Sequence, residues 1–91
     1  MSRTLHLPVK AVYFHEMKAG TKLFEYRLKT DYWRKRLENR EYDEVKVKLG
    51  YPKADDQERI LVRPWLGYEE QTITHPHFGD QPVQVFAIRV N

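Results

Sequence analysis

The chain has 91 residues, a formal net charge of +3 and no cysteine, which excludes disulfides and thiolate metal ligands. This length predicts one small domain covering residues 1–91. No stretch approaches the ~20 consecutive apolar residues of a membrane helix, and the first six residues contain no apolar signal segment. We therefore expect a cytoplasmic protein with no membrane partner.

The charge is distributed unevenly along the chain. Residues 1–40 contain ten Lys/Arg and four Asp/Glu, a net charge of +6, whereas residues 41–91 contain six and nine, a net charge of −3. A basic half beside an acidic half favours a polyanion as partner. A solubilising surface with chance asymmetry would give the same counts, so charge alone indicates nucleic acid only weakly.

The first predicted elements are a strand and a helix. Leu5–Leu7 predicts a short strand, and Pro8 suits the first turn of a helix because its missing N–H is harmless there. Gly20 can end this helix in the left-handed conformation. The helix is predicted to bury an apolar stripe with spacings of three and four: Val9, Val12, Tyr13 and Met17.

A second strand and a second helix follow. Residues 22–28 predict a strand because they are rich in aromatic and aliphatic side chains. Thr30 is suited to cap the next helix. Trp33 and Leu37 lie one turn apart on that helix, so we assign Trp33 to the core.

The second half predicts four strands, at 44–49, 58–65, 67–74 and 83–90, with a turn at 50–56 and a loop at 75–82. Pro64 indicates an edge, a strand end or a bulge, and the last strand, apolar on both faces, is expected to be central. Two helices followed by four strands favour an α+β fold. So many strands in a short chain favour a curled sheet or a small barrel.

The segment Gly20-Thr21-Lys22-Leu23-Phe24-Glu25-Tyr26-Arg27 places two cations and a carboxylate directly after the first helix. Charged groups near a core must pair, stay hydrated or bind a ligand. On a regular strand Glu25 and Arg27 share one face and Lys22 faces the other way. The three converge only if residues 21–22 are still in a turn or if a bulge intervenes. An ion pair that merely stiffens the strand is the competing interpretation.

If they converge, these side chains have the chemistry needed to cut RNA. Arg27 offers a planar fork to a phosphate or a carbonyl group. Lys22 can act as a point charge, a general acid or a nucleophile. Glu25 can hold Lys22 in place or act as a base toward a ribose 2′-OH or a water. We assign Lys22 and Glu25 as candidate catalytic residues and Arg27 as a candidate substrate-binding residue.

The pattern Gly-x-Lys-x-x-Glu-x-Arg resembles the signature of the ASCH domain family, small relatives of the PUA domain that are associated with RNA. The resemblance covers most of the chain. It implies a small PUA-like β-barrel, or a strongly curled mixed sheet, with two short helices. It also implies a cleft beside the first helix, where Lys22, Glu25 and Arg27 match the motif positions. Some members resemble ribonucleases, which implies single-stranded RNA as partner and its cleavage as a candidate activity. We expect such cleavage to be metal-independent, because the sequence contains no convincing metal cage.

A related branch of the family implies an alternative function. These bacterial amidohydrolases act on N4-acetylcytidine and carry Gly-x-Lys-x-x-Thr-x-Arg. Lys22 matches their catalytic lysine, but Glu25 stands where they have a catalytic threonine. They also use a downstream glutamate, for which Glu69 or Glu70 is a candidate. An amidohydrolase acting on an N4-acylated cytidine or a related modified nucleoside is therefore the alternative.

Aromatic and basic residues are interleaved along the chain, the combination that binds single strands through stacking and phosphate contacts. We assign Tyr26, Arg63 and Trp65 as further substrate-binding candidates, although Trp65 is equally suited to anchor the core. His75 and His77 could supply an acid near the cleft mouth, because imidazole exchanges its proton near neutral pH. They lack a third metal ligand, so we expect no metal and no cofactor. A non-enzymatic protein-interaction module with a structural charge cluster is the remaining alternative.

Overall fold

The computed structural model describes residues 3–91, so the first two residues of the predicted domain lie outside the described range. Within it, the chain forms two helices and six strands in the order predicted. Their bounds are β1 (Thr4–Val9), α1 (Ala11–Ala19), β2 (Phe24–Leu28), α2 (Asp31–Leu37), β3 (Glu44–Leu49), β4 (Ile60–Pro64), β5 (Tyr68–Ile73) and β6 (Val83–Arg89). Short 3₁₀ turns at Gln57–Arg59 and Pro76–Phe78 complete the regular structure.

The strands form two three-stranded sheets, with the orders β1-β3-β4 and β2-β6-β5. β1 and β3 are parallel, since α1, β2 and α2 lie between them in the chain, and the other pairs are antiparallel. β6 is central, as predicted, and its residues Val85–Ile88 are fully buried. Pro64 ends β4, an edge strand, where its missing N–H leaves no gap in the ladder.

The predicted α+β class with two short helices is confirmed, but the strands are not closed into one barrel. β2 pairs with β6 on one side. Every second residue of β2 points its N–H and C=O groups away from β6, so the other side of β2 is a free edge. β1 is likewise an edge strand. The two edges are joined through the Arg27 side chain, whose Nη2 donates to the Pro8 carbonyl at 2.7 Å, and this contact leaves room for a cleft.

The core lies between the two sheets and the helices. Alternating residues of β1 and β3 point inward, so Leu5, Leu7, Val45 and Val47 are buried while their neighbours are not. Phe86 and Ile88 of β6 face them from the second sheet. The helices contribute Phe14, Met17 and Leu37.

The predicted start of the first helix is wrong, and its predicted buried stripe is only partly right: Met17 is buried and Tyr13 packs partly buried against the core, but Val12 is exposed. Pro8 and Val9 belong to β1, where Pro8 is tolerated because its backbone faces the free edge. The helix begins at Ala11, and Val12 is 58% exposed. Its buried residues are Phe14 and Met17, at a spacing of three. A three-residue spacing also linked Val9 to Val12, so the pattern did not distinguish the two faces.

The ends of the following elements are decided by local hydrogen bonds. Gly20 has φ 84°, the predicted left-handed helix end. Thr30 caps α2, and its hydroxyl accepts from the Trp33 N–H at 3.4 Å. Strand β4 begins at Ile60 rather than residue 58, because residues 57–59 form a 3₁₀ turn. Among residues 3–91, neither helix has the length and apolar character needed to cross a bilayer.

Candidate functional site

The three charged residues of the motif line a single cleft with a volume of about 610 Å³. Glu25 and Arg27 lie on β2, whereas Lys22 precedes the strand. Lys22 is therefore free of strand alternation, which is the condition under which the sequence allowed the three to converge. The structure meets that condition and brings Lys22, Glu25 and Arg27 to the same cleft.

The end of α1 fixes the position of Lys22. The backbone N–H groups of Thr21 and Lys22 both donate to the Glu16 carbonyl, at 3.0 and 3.2 Å. From the other end of the chain, the Asn91 amide donates to the Lys22 carbonyl at 2.7 Å and to the Met17 carbonyl at 2.9 Å. The turn that carries the lysine is thus held by its own helix and by the C-terminal residue.

Arg27 crosses the gap between the two sheets. Besides the bond to Pro8, its Nη2 donates to Glu25 Oε2 at 3.1 Å. The guanidinium carbon lies 5.1 Å from the centre of the Trp33 ring, within cation–π range. Nε is buried without a partner, and Nη1 makes no hydrogen bond within residues 3–91. The guanidinium therefore retains a donor for a ligand.

Among residues 3–91, Glu25 is the one charged residue that is buried in the core, and it is 7% exposed. Its Oε1 accepts from the Tyr26 N–H at 3.0 Å, a donor on the free edge of β2. Burial raises the pKa of the Glu25 carboxyl, although Arg27, Lys22 and the hydrogen bonds act in the opposite direction. A buried carboxyl with an altered pKa beside two cations in a cleft is typical of functional sites.

Lys22 lies among aromatic rings. Its ammonium nitrogen is 4.6 Å from the ring centre of Tyr26 and 5.3 Å from that of Tyr13. His75 stands over the same two rings, 6.0 Å from Tyr13 and 6.5 Å from Tyr26 between ring centres. The His75 side chain also accepts from the His77 N–H at 3.1 Å and so caps the 3₁₀ turn of residues 76–78.

The lining of the cleft combines positive charge with aromatic faces. Lys10, Lys22 and Arg27 supply its positive charges, and of the residues that the structure describes Glu25 alone supplies a negative one. Tyr51 is 92% exposed, so a large aromatic face stands at the rim. The aromatic lining consists of Tyr13, Tyr26, Tyr32, Trp33, Tyr51 and Phe78. Such a surface suits a ligand that is both planar and anionic.

Two of the predicted substrate-binding residues lie outside this cleft. Arg63 is on β4, and its Nε donates to Asn91 Oδ1 at 3.4 Å. Trp65 packs against the core, with its ring 5.2 Å from that of Tyr42. Arg63 lies on β4 and Trp65 directly follows it, on the far side of the first sheet, because β3 separates β4 from β1. Tyr26 does line the cleft, as predicted.

The sequence did not identify every residue of the cleft. Tyr13 was assigned to the helix core, but it is half-buried and its ring faces Lys22. Trp33 packs against the core, as predicted, and also lines the cleft. His75 and His77 both reach the cleft, where the sequence had placed a candidate acid. Within residues 3–91, no group of three or more acidic or histidine side chains is arranged to hold a metal ion.

No protein-family model, curated protein or solved structure matches this chain.

Proposed function

We propose that this chain is an ASCH-like, RNA-binding domain that holds single-stranded RNA in the cleft between β1 and β2. The main observation behind this proposal is that Lys22 and Arg27 lie together among aromatic rings in a hollow of about 610 Å³. Phosphate-facing cations beside stacking faces are the usual elements of single-strand binding.

The arrangement favours RNA over a purely structural charge cluster. A structural ion pair needs only Glu25 and Arg27, which are already bonded. Lys22 is outside that pair, and its ammonium is directed at the Tyr26 ring inside the cleft. With Lys10 it leaves the lining with more cations than anions. An excess of positive charge in a concave, partly apolar site attracts an anionic ligand.

The family likeness supports the same proposal. The Gly-x-Lys-x-x-Glu-x-Arg pattern resembles the ASCH signature, and its three charged positions are the ones that line the cleft. We propose that the two sheets correspond to a PUA-like barrel that is open between β1 and β2. A free modified nucleoside is the alternative ligand for the same cleft.

Binding is tested by titrating the protein with a random-sequence RNA octamer at low salt. Arg27→Gln is expected to weaken binding about 10- to 100-fold, because a hydrogen bond to a charged group contributes about 1.5–3 kcal/mol. Arg59→Gln is the matched control, since Arg59 is exposed, pairs with Asp56 and lies outside the cleft. Circular dichroism checks that both variants fold. If neither the octamer nor free nucleosides bind the wild-type protein, the proposal is wrong.

Metal-independent cleavage of the bound RNA is a second candidate function, favoured by the position of Lys22, Glu25 and Arg27 in one cleft. A raised pKa makes the carboxylate a stronger base, suited to take the proton of a ribose 2′-OH. The 2′-oxygen then forms a bond to phosphorus, and the bond to the 5′-oxygen breaks. Lys22 would donate a proton to that leaving oxygen, and Arg27 would hold the phosphate. The products are a 2′,3′-cyclic phosphate and a 5′-hydroxyl end.

The cleavage assay separates the enzymatic alternatives by their products. Cyclic-phosphate ends that form equally well with a chelator present would support the ribonuclease. Acetate and cytidine released from N4-acetylcytidine would support the amidohydrolase instead. The Lys22→Ala substitution is expected to abolish whichever reaction occurs. If the Lys22→Ala protein kept the full rate in both assays, a catalytic role for this lysine would be ruled out. If RNA binds but neither product forms, the protein is an RNA-binding domain that catalyses neither reaction.

A further inference from the structure

A second hollow lies beside the main cleft. It has a volume of about 420 Å³ and runs along the free edge of β1, past Thr4 and His6, to the C-terminal turn of α2. There the Arg36 guanidinium stacks on Tyr32, 3.4 Å from the ring centre, and its Nη1 donates to the Tyr32 carbonyl at 3.1 Å. The stack holds a cation and an aromatic face together at the rim.

The two hollows share a wall. Arg27 lines both, as do Pro8 and Trp33, which are its hydrogen-bond and cation–π partners. The guanidinium therefore stands between the two spaces and faces both. A ligand that occupied both would pass directly over it.

The charge of the second hollow is positive. Arg27 and Arg36 line it, and among the described residues no carboxylate does. On the β1 side of this hollow, His6 lies opposite Lys46 of the neighbouring β3, and Lys48 lies two residues further along β3. Glu44 is the nearby acid, and its carboxylate accepts from the Thr4 hydroxyl at 2.9 Å. Cations thus continue beyond the main cleft in one direction.

We infer that the ligand spans both hollows and is at least a dinucleotide, with a linking phosphate on Arg27 and a second nucleotide beside Arg36 and Tyr32. This inference rests on the proposed function and extends it. A single nucleoside would fill the aromatic main cleft but leave the second hollow and its cations unused. Two spaces joined at an arginine match the alternation of base and phosphate in a strand.

The test compares ligands of increasing length. Wild-type protein is titrated with equimolar pools of the four ribonucleoside 5′-monophosphates, of the dinucleotides and of random octamers. Dinucleotides are expected to bind at least about tenfold more tightly than monophosphates, the effect of one added charged contact. Arg36→Gln is expected to bring the affinity ratio close to one. Arg34→Gln, an exposed arginine on the same helix and outside both hollows, should preserve the ratio.

The possible outcomes distinguish failure of this inference from failure of the proposed function on which it rests. Equal affinities for monophosphates and dinucleotides would overturn the inference and leave a site for one nucleotide. The inference would also be overturned if the folded Arg36→Gln protein still bound dinucleotides more tightly than monophosphates, or bound the octamer as tightly as the wild type does. No binding of any pool would overturn both.

His6 gives an independent readout of the second hollow. Partial burial and the charges of Lys48 and Lys46 lower the pKa of His6, and Glu44 acts in the opposite direction. A phosphate nearby would raise the pKa measured by NMR. Dinucleotides are expected to produce this rise and free nucleosides are not, while the signals of His15, which lies outside both hollows, stay unmoved. An unchanged His6 titration at saturating dinucleotide would contradict the inference.

Discussion

Glu25 is held in an environment that favours its neutral form. Its carboxyl is almost fully buried and accepts hydrogen bonds from the Tyr26 N–H and from Arg27. Those bonds and the nearby ammonium of Lys22 favour ionisation, but burial has the larger effect, and the pKa is raised. In the folded protein this carboxyl therefore binds a proton more tightly than in the unfolded chain.

The pH dependence of stability follows from that shift. Because the folded-state pKa lies above the unfolded value of 4.5, the stabilising contribution of Glu25 is complete below pH 4.5. It is lost as the pH rises through the folded-state pKa, with a slope of at most about 1.4 kcal/mol per pH unit. The free energy of unfolding of the wild type, relative to Glu25→Gln, should fall over this range and be flat above it.

Denaturant titrations of both proteins from pH 4 to pH 8 measure this difference. The glutamine keeps the size of the side chain but cannot ionise, so other titrating groups cancel in the comparison. A relative stability that rises with pH would show that the bonds to Arg27 and Tyr26 outweigh burial.

At the residue scale, the sequence predicted that Glu25 and Arg27 share a strand face, because side chains two apart point the same way. The ion pair that it offered as the competing interpretation is present. It could state only a condition for Lys22, whose direction depends on where the turn after Gly20 ends. Arg63 and Trp65 were misplaced for a different reason. Their residue types suit binding, but only the order of strands in the sheet shows that β4 lies away from the cleft.

Among the elements, α1 and the turn after it control the geometry of the motif. Gly20 has φ 84°, and a side chain there would meet no atom within 4 Å. A substitution at this position therefore costs backbone strain without a steric clash. Gly67, in the turn between β4 and β5, has the same φ and the same open surroundings. The two glycines differ in what they support, since only Gly20 leads into Lys22.

Gly20→Ala and Gly67→Ala form a matched pair. Each is expected to lower the free energy of unfolding by about 1 kcal/mol, the cost of a left-handed conformation for a residue with a Cβ. Only Gly20→Ala should also weaken binding of the RNA octamer, because it displaces the turn that carries Lys22. Thermal denaturation and the octamer titration test both parts, and an equal loss of affinity in Gly67→Ala would contradict the second part.

Prediction of the elements from sequence succeeded where a local signal was unambiguous. Gly20 ends α1 and Thr30 caps α2, each through its own backbone or side-chain hydrogen bonds. The start of α1 was misplaced because Pro8 suits both a first helical turn and an edge strand. Whether β1 is an edge strand depends on its partner β3, whose paired residues come forty positions later, and no local pattern contains them.

Across the whole molecule, the cations of the two hollows predict a salt-dependent affinity. Lys10, Lys22, Arg27 and Arg36 line them, and each can neutralise one phosphate. For single strands, each neutralised phosphate contributes about −0.7 to the slope of log affinity against log salt concentration. The octamer should therefore show a slope of about −2 to −3. Titrations between 50 and 300 mM salt would measure it. A slope near zero would mean that phosphates are not the contacted groups.

The overall arrangement was the least predictable level. The class of the fold and the central position of β6 followed from the order and hydrophobicity of the strands. The division into two sheets did not, because it depends on which strands pair over long separations in the chain. The cleft itself exists because β1 and β2 fail to pair, and a missing contact leaves no pattern in a sequence.

Unpaired strand edges also invite association with other chains, since they present free N–H and C=O groups to any extended segment. Here Pro8, which lacks an N–H, and the charged Arg27 occupy the two facing edges and are bonded to each other. Proline and inward charge are the devices that discourage edge-to-edge aggregation. The arginine proposed to recognise phosphate is therefore also placed where it discourages pairing of these edges with other chains. Variants that lack Arg27 should be compared at concentrations where sedimentation shows a single species.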